Sequence, residues 1–279
     1  MKLKANAKIN LSLKINGKRE DGYHLIDTVM HSISLYDEIE IEKAEEITVK
    51  CDKYAIEQEK NIAYKAAKLF FEDYGIKGGA DISIKKNIPS PAGLGGGSAD
   101  AAAVLLGLRS MYKNDISNAD LEKTALKLGA DVPFFIEGGC KRAEGIGEIL
   151  SDVTPLNNGY ILLALAETKP STAEMYRIVD KTKPLDCDTD TVIKAIEHND
   201  IELLSKSIAN SFSAVWENSF VKKALLEQSP LAVSLTGSGP TWFAIFDNYE
   251  KAEKAKSVLC KQNITCFIAT PQAKAIIFE

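Results

Sequence analysis

The sequence contains few residues of the types that form metal centres or disulfide frameworks. Its 279 residues include three histidines and five cysteines, an odd number with no C-x-x-C pair among them. Zinc sites usually bring closely spaced cysteine or histidine ligands, and disulfide-rich folds use an even set of cysteines, so both classes are disfavoured. Unpaired thiols are typical of a reducing compartment, and we therefore predict a cytoplasmic protein without a metal site built from its own side chains.

Long apolar runs are also missing. The longest uninterrupted run covers residues 160–166, whereas a membrane-spanning helix needs about 20 apolar residues. The N-terminal segment MKLKANAKINLSLKI has neither the apolar stretch nor the cleavage site of a secretory signal. The sequence therefore predicts no membrane partner.

Basic clusters are absent as well. The 34 lysine and arginine residues and the 39 aspartate and glutamate residues are interspersed, and they give a net charge of −5. Because binding to a polyanionic backbone usually requires a basic stripe, nucleic acid is not an expected partner. The net charge does not distinguish a monomer from a homodimer.

What is present is an ordinary globular composition, with 45% hydrophobic and 26% charged residues. The length suits two domains or one large α/β unit, and strand-like segments alternate with helical ones, which predicts an α+β fold. A turn-rich segment, 151–159, separates two halves, so we place one domain at 1–153 and the other at 154–279.

Hydrophobic periodicity and turn signals predict the individual elements. The predicted strands cover residues 3–15, 28–35, 38–50, 80–85, 160–166, 232–235 and 242–246, with a pair of strands at the end. The predicted helices cover residues 61–74, 98–108, 119–128, 189–197, 201–208 and 249–261, with another starting near residue 173.

The most informative stretch is PSPAGLGGGSADAAAVLLGL, residues 89–108. Four of the five residues from Gly93 to Gly97 are glycine, and a helix is predicted directly after them. A glycine loop at a helix N-terminus exposes backbone N–H groups and forms a phosphate site. The Walker A pattern is excluded because Ser98, not lysine, follows Gly97. The alternative is a glycine turn that lets a helix of small residues pack tightly on a sheet.

Four further segments contain candidate site residues. Asp131, in GADVPFF, is a candidate base if it is partly buried, although it could instead cap backbone N–H groups. Lys8 lies on the polar face of the first strand, where a surface lysine is the ordinary alternative. LTGSGPTWFAIF, residues 235–246, could form a second wall of the same site or a plain turn. Asp21–His24 is a polar turn that brings an aromatic ring next to an imidazole.

Together these segments resemble the GHMP kinase superfamily, small-molecule kinases that include galactokinase, homoserine kinase and mevalonate kinase. Residues 89–98 match the loop P-x-x-x-G-L-G-G-G-S, and residues 235–241 resemble the C-terminal glycine motif. The segment AKINLSLKINGKREDGYH, residues 7–24, is similar to the signature of one member, and GADVPFF and EGIGE fit the same member. The resemblance implies two domains, the first ribosomal protein S5 domain 2-like and the second a ferredoxin-like α/β sandwich, with the active site in the cleft between them.

The activity that the resemblance implies is transfer of the γ-phosphoryl group of ATP to an alcohol. The member with the similar N-terminal signature acts on a cytidine diphosphate-linked methylerythritol, a small-molecule partner, with Mg²⁺ bridging the phosphates of ATP. Lys8 and Asp131 match the catalytic lysine and aspartate. The residues that the resemblance assigns to ATP are Pro89, Ser90, Pro91, Ala92, Gly93, Leu94, Gly95, Gly96, Gly97, Ser98, Ala99, Asn61 and Lys86.

The substrate side is implied in the same way, with cytosine near Tyr23 and His24 and a second aromatic on a later helix. The residues assigned to the substrate are Asn10, Tyr23, His24, Thr172, Tyr176, Gly237 and Gly239. The chain departs from the pattern at Ala99–Asp100, Arg109 and Lys141–Arg142, and the last pair has no assigned role. Two alternatives stay open: a related kinase for homoserine or mevalonate, and a catalytically silent sensor with the same fold.

Overall fold

The computed structural model describes residues 1–54, 57–156, 158–182 and 185–279. Asn157, in the segment where we place the domain boundary, lies outside the described residues. The strands within these ranges are β1 (Lys2–Lys18), β2 (His24–Ala44), β3 (Thr48–Cys51), β4 (Gly79–Lys85), β5 (Cys140–Gly145), β6 (Ile149–Asp152), β7 (Tyr160–Leu165), β8 (Ala209–Asn210), β9 (Ala232–Leu235), β10 (Trp242–Phe246), β11 (Thr265–Ala269) and β12 (Ile276–Phe278).

The α-helices connect and cover these strands, so the predicted α+β composition is confirmed. The helices in the described ranges are α1 (Ile62–Tyr74), α2 (Gly96–Tyr112), α3 (Asn118–Leu126), α4 (Phe134–Glu137), α5 (Thr172–Val179), α6 (Thr189–Glu197), α7 (Ile201–Ser207), α8 (Phe220–Leu226) and α9 (Tyr249–Cys260). No helix in the described part of the chain is long and apolar enough to cross a membrane.

The strands form two sheets. The larger sheet has eight strands, with the path β12-β1-β2-β4-β3, β5 and β6 extending from β2, and β8 paired with β1. The smaller sheet is antiparallel, in the order β11-β7-β10-β9. Two strands follow α9 as predicted, but they do not pair with each other, because β11 joins the small sheet whereas β12 pairs with β1 of the large one.

Strand β2 is one long strand where the sequence predicts a break at residues 36 and 37. The ladder between β1 and β2 shifts register between Asn6 and Ala7: Ala7 pairs with Ile33 and Asn6 pairs with Tyr36, so two extra residues of β2 lie between the paired positions. Such a bulge absorbs extra residues without ending the pairing. The polar Asp37, fully buried in the structure, is therefore part of the sheet rather than a connection between strands.

Strand β1 is buried on both faces. Its apolar side packs against the small sheet around Ile9 and Leu11. The polar side is covered too, and Lys8 is only 3% exposed. The alternative that Lys8 is an ordinary surface lysine is therefore excluded.

Helix α2 packs on the large sheet with small side chains. A Cβ atom at Gly107 would lie 2.6 Å from Cδ1 of Ile41 on β2, so a larger residue there would push the helix outward. The buried small residues of the helix are Ala99, Ala101, Ala102 and Ala103. Close packing on the sheet thus explains the alanine run of α2. It does not explain the glycines at residues 93–97, which precede that run.

The two sheets are joined by strands and helices from the second half of the chain. The small sheet packs on α8 and α9 with one face and on β1, α6 and α7 with the other. Strands β8 and β12 both hydrogen-bond to β1 of the large sheet. The boundary at 153/154 stays a prediction, since two strands beyond it complete the first sheet.

Candidate active site

A cleft with a volume of about 830 Å³ lies where the two halves of the chain meet. Its walls come from β1, the tip between β1 and β2, the loop before α2, the turn before α4, the loop before α5 and the loop between β9 and β10. The predicted site residues that line it are Lys8, Asn10, Tyr23, His24, residues 89–98, Asp131, Thr172, Tyr176 and Gly237. Ala99, Asn61, Lys86 and Gly239 are not on its surface.

The glycine loop enters helix α2 on one wall of this cleft. Gly95 is the N-cap with a left-handed φ of 75°, and the helix begins at Gly96. The first N–H groups of a helix have no partner within it, and they carry the positive end of the helix dipole. At Gly97 a Cβ atom would come no closer than 3.6 Å to a protein atom, Cγ2 of Ile62. The lack of a side chain at Gly97 therefore leaves space that the fold itself does not fill.

Other glycines of the loop are required by packing. A Cβ atom at Gly93, where φ is 75°, would lie 2.5 Å from the carbonyl oxygen of Thr236. One at Gly237 would lie 3.0 Å from the carbonyl oxygen of Gly93, and one at Gly95 would lie 2.6 Å from Cζ of Phe135. The two glycine motifs therefore pack backbone against backbone, so packing accounts for Gly93 and Gly95, while the phosphate site at the start of α2 stays a prediction.

Lys8 and Asp131 face each other in the cleft. The Lys8 ammonium lies 3.6 Å from Oδ2 of Asp131 and donates a 2.8 Å hydrogen bond to Oδ1 of Asn10. The Lys8 side chain is 4% exposed, while that of Asp131 is 41% exposed. Asp131 lies in the turn between α3 and α4, where a carboxylate can reach a bound molecule while the buried lysine balances its charge.

Asn10 links Lys8 to the second glycine loop. Its Oδ1 also accepts a 2.8 Å hydrogen bond from the backbone N–H of Gly237, and its Nδ2 donates to Oγ1 of Thr28 at 2.8 Å. Thr236 accepts from the backbone N–H of Asn10 at 3.2 Å and donates to the carbonyl of Gly93 at 3.3 Å. The sequence assigned no role to Thr28 or Thr236, because threonines next to a strand end carry no distinctive pattern.

The other end of the cleft is aromatic. The ring of His24 stacks on Tyr176 of α5 with centroids 4.5 Å apart, and Tyr176 meets Phe212 edge to face at 4.9 Å. Burial, and secondarily the charge of Asp131, raises the pKa of the Tyr176 hydroxyl. Tyr23 is 60% exposed at the tip between β1 and β2. The three predicted residues Tyr23, His24 and Tyr176 thus line the same cleft, and it is His24 rather than Tyr23 that stacks on the Tyr176 ring.

Asp180, just after α5, holds this tip in place across the cleft. One carboxylate oxygen lies 2.6 Å from Nε2 of His24, and the other accepts a 2.9 Å bond from Lys18. The hydrogen bond from Lys18, followed by that from His24, lowers the pKa of Asp180. The tip belongs to the large sheet and α5 to the second half of the chain, so this contact joins the two halves beside the cleft.

Lys86 and Asn61 have other partners. The Lys86 ammonium is buried between Asp37 and Asp100, lies 2.6 Å from Asp100, and has a pKa held above its usual value by the two carboxylates against the effect of burial. Asn61 caps α1 by accepting a 2.9 Å bond from the N–H of Ala63. These contacts keep both side chains off the cleft, although a Cβ atom at Gly96 would lie 3.4 Å from the Lys86 ammonium.

The structure gives Lys141 and Arg142 clear partners. Lys141 is paired with Glu137 at 2.7 Å and Asp152 at 2.6 Å. Arg142 holds both oxygens of Asp27, at 2.9 and 2.8 Å, and also contacts Asp190 of α6 at 2.9 Å. A planar guanidinium suits such a fork, so Arg142 ties the large sheet to a helix of the second half.

Comparison with known proteins identifies the family. Residues 61–139 match the GHMP kinases N terminal domain, and residues 192–265 match the GHMP kinases C terminal domain. A 4-diphosphocytidyl-2-C-methyl-D-erythritol kinase of Clostridium tetani is 44% identical over 261 residues, covering 91% of this chain and 93% of that relative. The chain belongs to the 4-diphosphocytidyl-2-C-methyl-D-erythritol kinase family. A member from Clostridium novyi is 41% identical over 91% of this chain and 94% of its own length.

Solved structures agree with this membership. A crystal structure of a 4-(cytidine 5'-diphospho)-2C-methyl-D-erythritol kinase superposes with a TM-score of 0.77 at 30% identity, covering 97% of this chain and 99% of that one. A homoserine kinase from Cytophaga hutchinsonii has a TM-score of 0.74 at 19% identity, which shows a shared fold alone. The predicted two-domain GHMP kinase fold and the prediction of an ATP-dependent small-molecule kinase are confirmed.

Proposed function

We propose that the chain transfers the γ-phosphoryl group of ATP to the 2-hydroxyl of 4-diphosphocytidyl-2-C-methyl-D-erythritol, in the non-mevalonate route to isoprenoid precursors. The observation that carries the proposal is the pairing of Lys8 with Asp131 at 3.6 Å in the cleft that the glycine loop also lines. Phosphoryl transfer requires mainly positioning and stabilisation of charge, and this arrangement offers both. As the cysteine pattern predicts, we place the reaction in the cytoplasm.

The donor ATP binds with its phosphates at the glycine loop. Backbone N–H groups from Gly96 to Ser98 at the start of α2 are the donors for phosphoryl oxygens, and the free space at Gly97 admits them. Lys86 and Asn61 act behind this wall, because their side chains are held by Asp37, Asp100 and the first turn of α1. Lys86 and Asn61, which the resemblance assigns to ATP, would thus shape the ATP site without contacting the nucleotide directly.

Mg²⁺ fits this cleft as a companion of ATP. Within the described residues no group of three histidine, cysteine, aspartate or glutamate side chains could hold a metal ion. Mg²⁺ commonly keeps several waters and binds through substrate phosphates and one or two protein oxygens, and Ser98 and Asp131 line the cleft with such oxygens. When bound, it neutralises charge on the phosphates of ATP.

The reaction at the acceptor begins with its 2-hydroxyl oxygen attacking the γ-phosphorus. An oxygen–phosphorus bond forms while the bond from the γ-phosphorus to the bridging oxygen breaks, and ADP leaves with the electron pair. The hydroxyl proton passes to a carboxylate oxygen of Asp131. The neighbouring Lys8 ammonium, 3.6 Å from this carboxylate, stabilises the negative charge that accumulates during the transfer.

The acceptor lies along the other half of the cleft. Its cytosine stacks at the aromatic group formed by Tyr23, His24 and Tyr176, and its polyol lies near Thr172 and the Asn10 side of the cleft. Gly237 contributes backbone to the same wall, whereas Gly239 acts by packing, since a Cβ atom there would lie 2.7 Å from Nε1 of Trp216. The distance from aromatic end to carboxylate end then determines which hydroxyl is presented.

The test is ADP release by the purified protein with ATP, Mg²⁺ and the acceptor, run beside Asp131→Asn. Removing a general base costs roughly 10²- to 10⁴-fold in rate, and we expect kcat to fall by that amount while the melting temperature is unchanged. Asp115→Asn, which alters an exposed carboxylate after α2, is the matched control and keeps full activity.

Three other outcomes would change the proposal. Full turnover by Asp131→Asn would leave the kinase activity but remove Asp131 as the base. Turnover of homoserine or mevalonate in place of the cytidine-linked alcohol would reject the acceptor. Tight ATP binding without turnover of any of these alcohols would favour a silent sensor.

A further inference from the structure

Lys169 is a cation in the cleft to which the sequence assigned no role. It lies in the loop between β7 and α5, is half-buried, and lines the same cleft as Lys8 and Asp131. Its ammonium donates hydrogen bonds to Oγ of Ser238 at 2.5 Å and to Oγ1 of Thr172 at 3.4 Å. Both partners are neutral hydroxyls, so the charge of Lys169 is not balanced by these contacts.

The buried lysines of the described chain, unlike the half-buried Lys169, each have an acidic partner. Lys8 is paired with Asp131, Lys86 with Asp37 and Asp100, and Lys141 with two acidic side chains. Within the described residues, no carboxylate lies within 4.0 Å of the Lys169 ammonium, and its only recorded partners are the two hydroxyls. Because taking a cation out of water is costly without a counter-charge, the structure leaves a place for an anion beside Lys169.

The place for an anion beside Lys169 lies between the two ends of the cleft. Thr172 is the first residue of α5, the helix that carries Tyr176 and its stacked His24. Ser238 belongs to the second glycine loop, whose Gly237 is bonded to Asn10 beside Lys8. Lys169 therefore bridges the aromatic end and the Lys8 end, and a molecule that spans the two ends passes its ammonium.

We propose that Lys169 binds phosphoryl oxygens of the bound substrates, and that it is a substrate-binding residue of this kinase. This inference rests on the proposed function, in which two groups have the required chemistry: the diphosphate of the acceptor and the γ-phosphoryl group of ATP. The bridging position favours the acceptor diphosphate, which would lie between the stacked cytosine and the reacting hydroxyl.

The charge state of Lys169 supports the same conclusion. Burial, and then the positive charge of Lys8, lowers the pKa of Lys169 to about 8. An arriving anion favours the charged ammonium and so raises this pKa. Without ligand the ammonium loses its proton as the pH rises past about 8, so affinity for the anion should fall there. The other titratable or charged side chains that line the cleft are Lys8, Lys18, Asp21, Tyr23, His24, Asp131, Tyr176 and Arg177.

The experiment compares wild type, Lys169→Met and Lys169→Arg by steady-state kinetics, varying ATP and the acceptor separately. Loss of a hydrogen bond to a charged group corresponds to roughly a 10- to 100-fold change in affinity. If the acceptor diphosphate is the partner, Lys169→Met raises the KM for the acceptor by that factor and leaves the KM for ATP unchanged. If the γ-phosphoryl group is the partner, kcat falls by a similar factor while the KM for the acceptor is unchanged.

A pH series separates ligand binding from a structural role. Since an arginine stays protonated, Lys169→Arg should keep its KM for the acceptor constant between about pH 7 and 9.5, whereas the wild-type KM rises above about pH 8. The other groups that line the cleft are the same in both proteins, so they cancel in the comparison. Lys206→Met, a change at an exposed lysine of α7, is the control with wild-type kinetics.

The result that overturns the inference is equally direct. If Lys169→Met has kcat and both KM values within about twofold of wild type, or if wild type and Lys169→Arg share one pH profile, Lys169 does not bind a phosphoryl group. Melting temperatures show whether Lys169→Met is folded, and Lys169→Arg carries the test if it is not. A wild-type protein that does not turn over the acceptor rejects the proposed function instead.

Discussion

The two ends of the cleft keep their shape by different means. At the donor end, the loop of residues 89–99 is fixed by backbone packing, with Gly93 against Thr236 and Gly95 against Phe135. At the acceptor end, the tip between β1 and β2 is held by side chains, namely the His24–Tyr176 stack and the hydrogen bonds to Asp180. Substitutions of the closely packed glycines at the donor end should therefore act through folding, and those at the acceptor end through affinity and pH.

Gly93→Ala should have the largest effect, because it combines a positive φ with a contact of 2.5 Å to a carbonyl oxygen. The strain of a positive φ costs about 2 kcal/mol, equivalent to a fall in melting temperature of roughly 4–8 °C for a chain of this size, and the clash with Thr236 should add to that fall. Calorimetry of the purified variant measures it.

Gly75→Ala is the matched control for Gly93→Ala. Gly75 has a φ of 62° at the end of α1, and a Cβ atom there meets nothing within 4 Å. It therefore reports the strain of a positive φ without the packing against Thr236. Equal losses in the two variants would mean that the contact between the glycine motifs adds nothing.

Gly97→Ala, in contrast to Gly93→Ala, should change the binding of ATP rather than the stability of the fold. A Cβ atom at Gly97 has no close protein neighbour, and alanine is favoured over glycine in a helix by roughly 0.5–1 kcal/mol. We expect an unchanged or slightly higher melting temperature together with a KM for ATP raised by roughly tenfold, the loss of about one hydrogen bond to a charged phosphate. An unchanged KM for ATP would place the phosphates away from the start of α2.

Asp180→Asn tests the acceptor end and should have the smallest effect. The carboxylate is 35% exposed, and exposed ion pairs contribute little, so we expect the KM for the acceptor to rise by roughly threefold. The KM for ATP and the rate with saturating substrates should be unchanged. If the KM for ATP rose more than the KM for the acceptor, Asp180 would not act at the acceptor end alone.

The same variant has a defined pH dependence. Because the pKa of Asp180 is lower in the folded protein, its stabilising effect is fully present above the ordinary value of about 4 and is lost as the pH falls through the lower value. The melting temperatures of wild type and Asp180→Asn should differ at neutral pH and converge in acid. Curves that stay parallel down to about pH 3 would contradict the role of Asp180 as an ionised partner.

The glycine loop at the donor end could be predicted from the sequence for a physical reason. A loop fixed by backbone geometry requires glycine at particular positions, so its shape is visible in the composition of residues 93–97. Lys8 and Asp131 were accessible through their motifs, and the structure brings them to 3.6 Å. Their catalytic roles stay predictions until the variants are measured.

The acceptor end depends on contacts between distant segments. Asp180 and Lys169 lie far along the chain from His24 and Lys8, and neither belongs to a local pattern. Lysines in loops are ordinarily on the surface, so nothing in the sequence distinguished Lys169 from its neighbours. The position of Lys86 was also out of reach, since its two acidic partners come from β2 and α2.

Some elements escaped prediction for local reasons. Helix α4 has four residues, too few to show a helical period. Strand β2 continues through Tyr36 and Asp37 because a bulge at residues 34 and 35 of β2 leaves their pairing with β1 intact, and a single sequence does not show where a register shift occurs.

The pairing of β12 with β1 also determines when the kinase can assemble. Ile276–Phe278 is translated after every other described element, yet it lies beside Leu3–Ala5, and the backbone N–H of Asn6 donates to the carbonyl of Ala275 at 2.8 Å. Such long-range pairing closes slowly, since nearly the whole chain forms the loop between the partners. The strand that carries Lys8 thus gains its β12 neighbour only after the other described elements have been translated, so the large sheet is completed late although its first strand is made early.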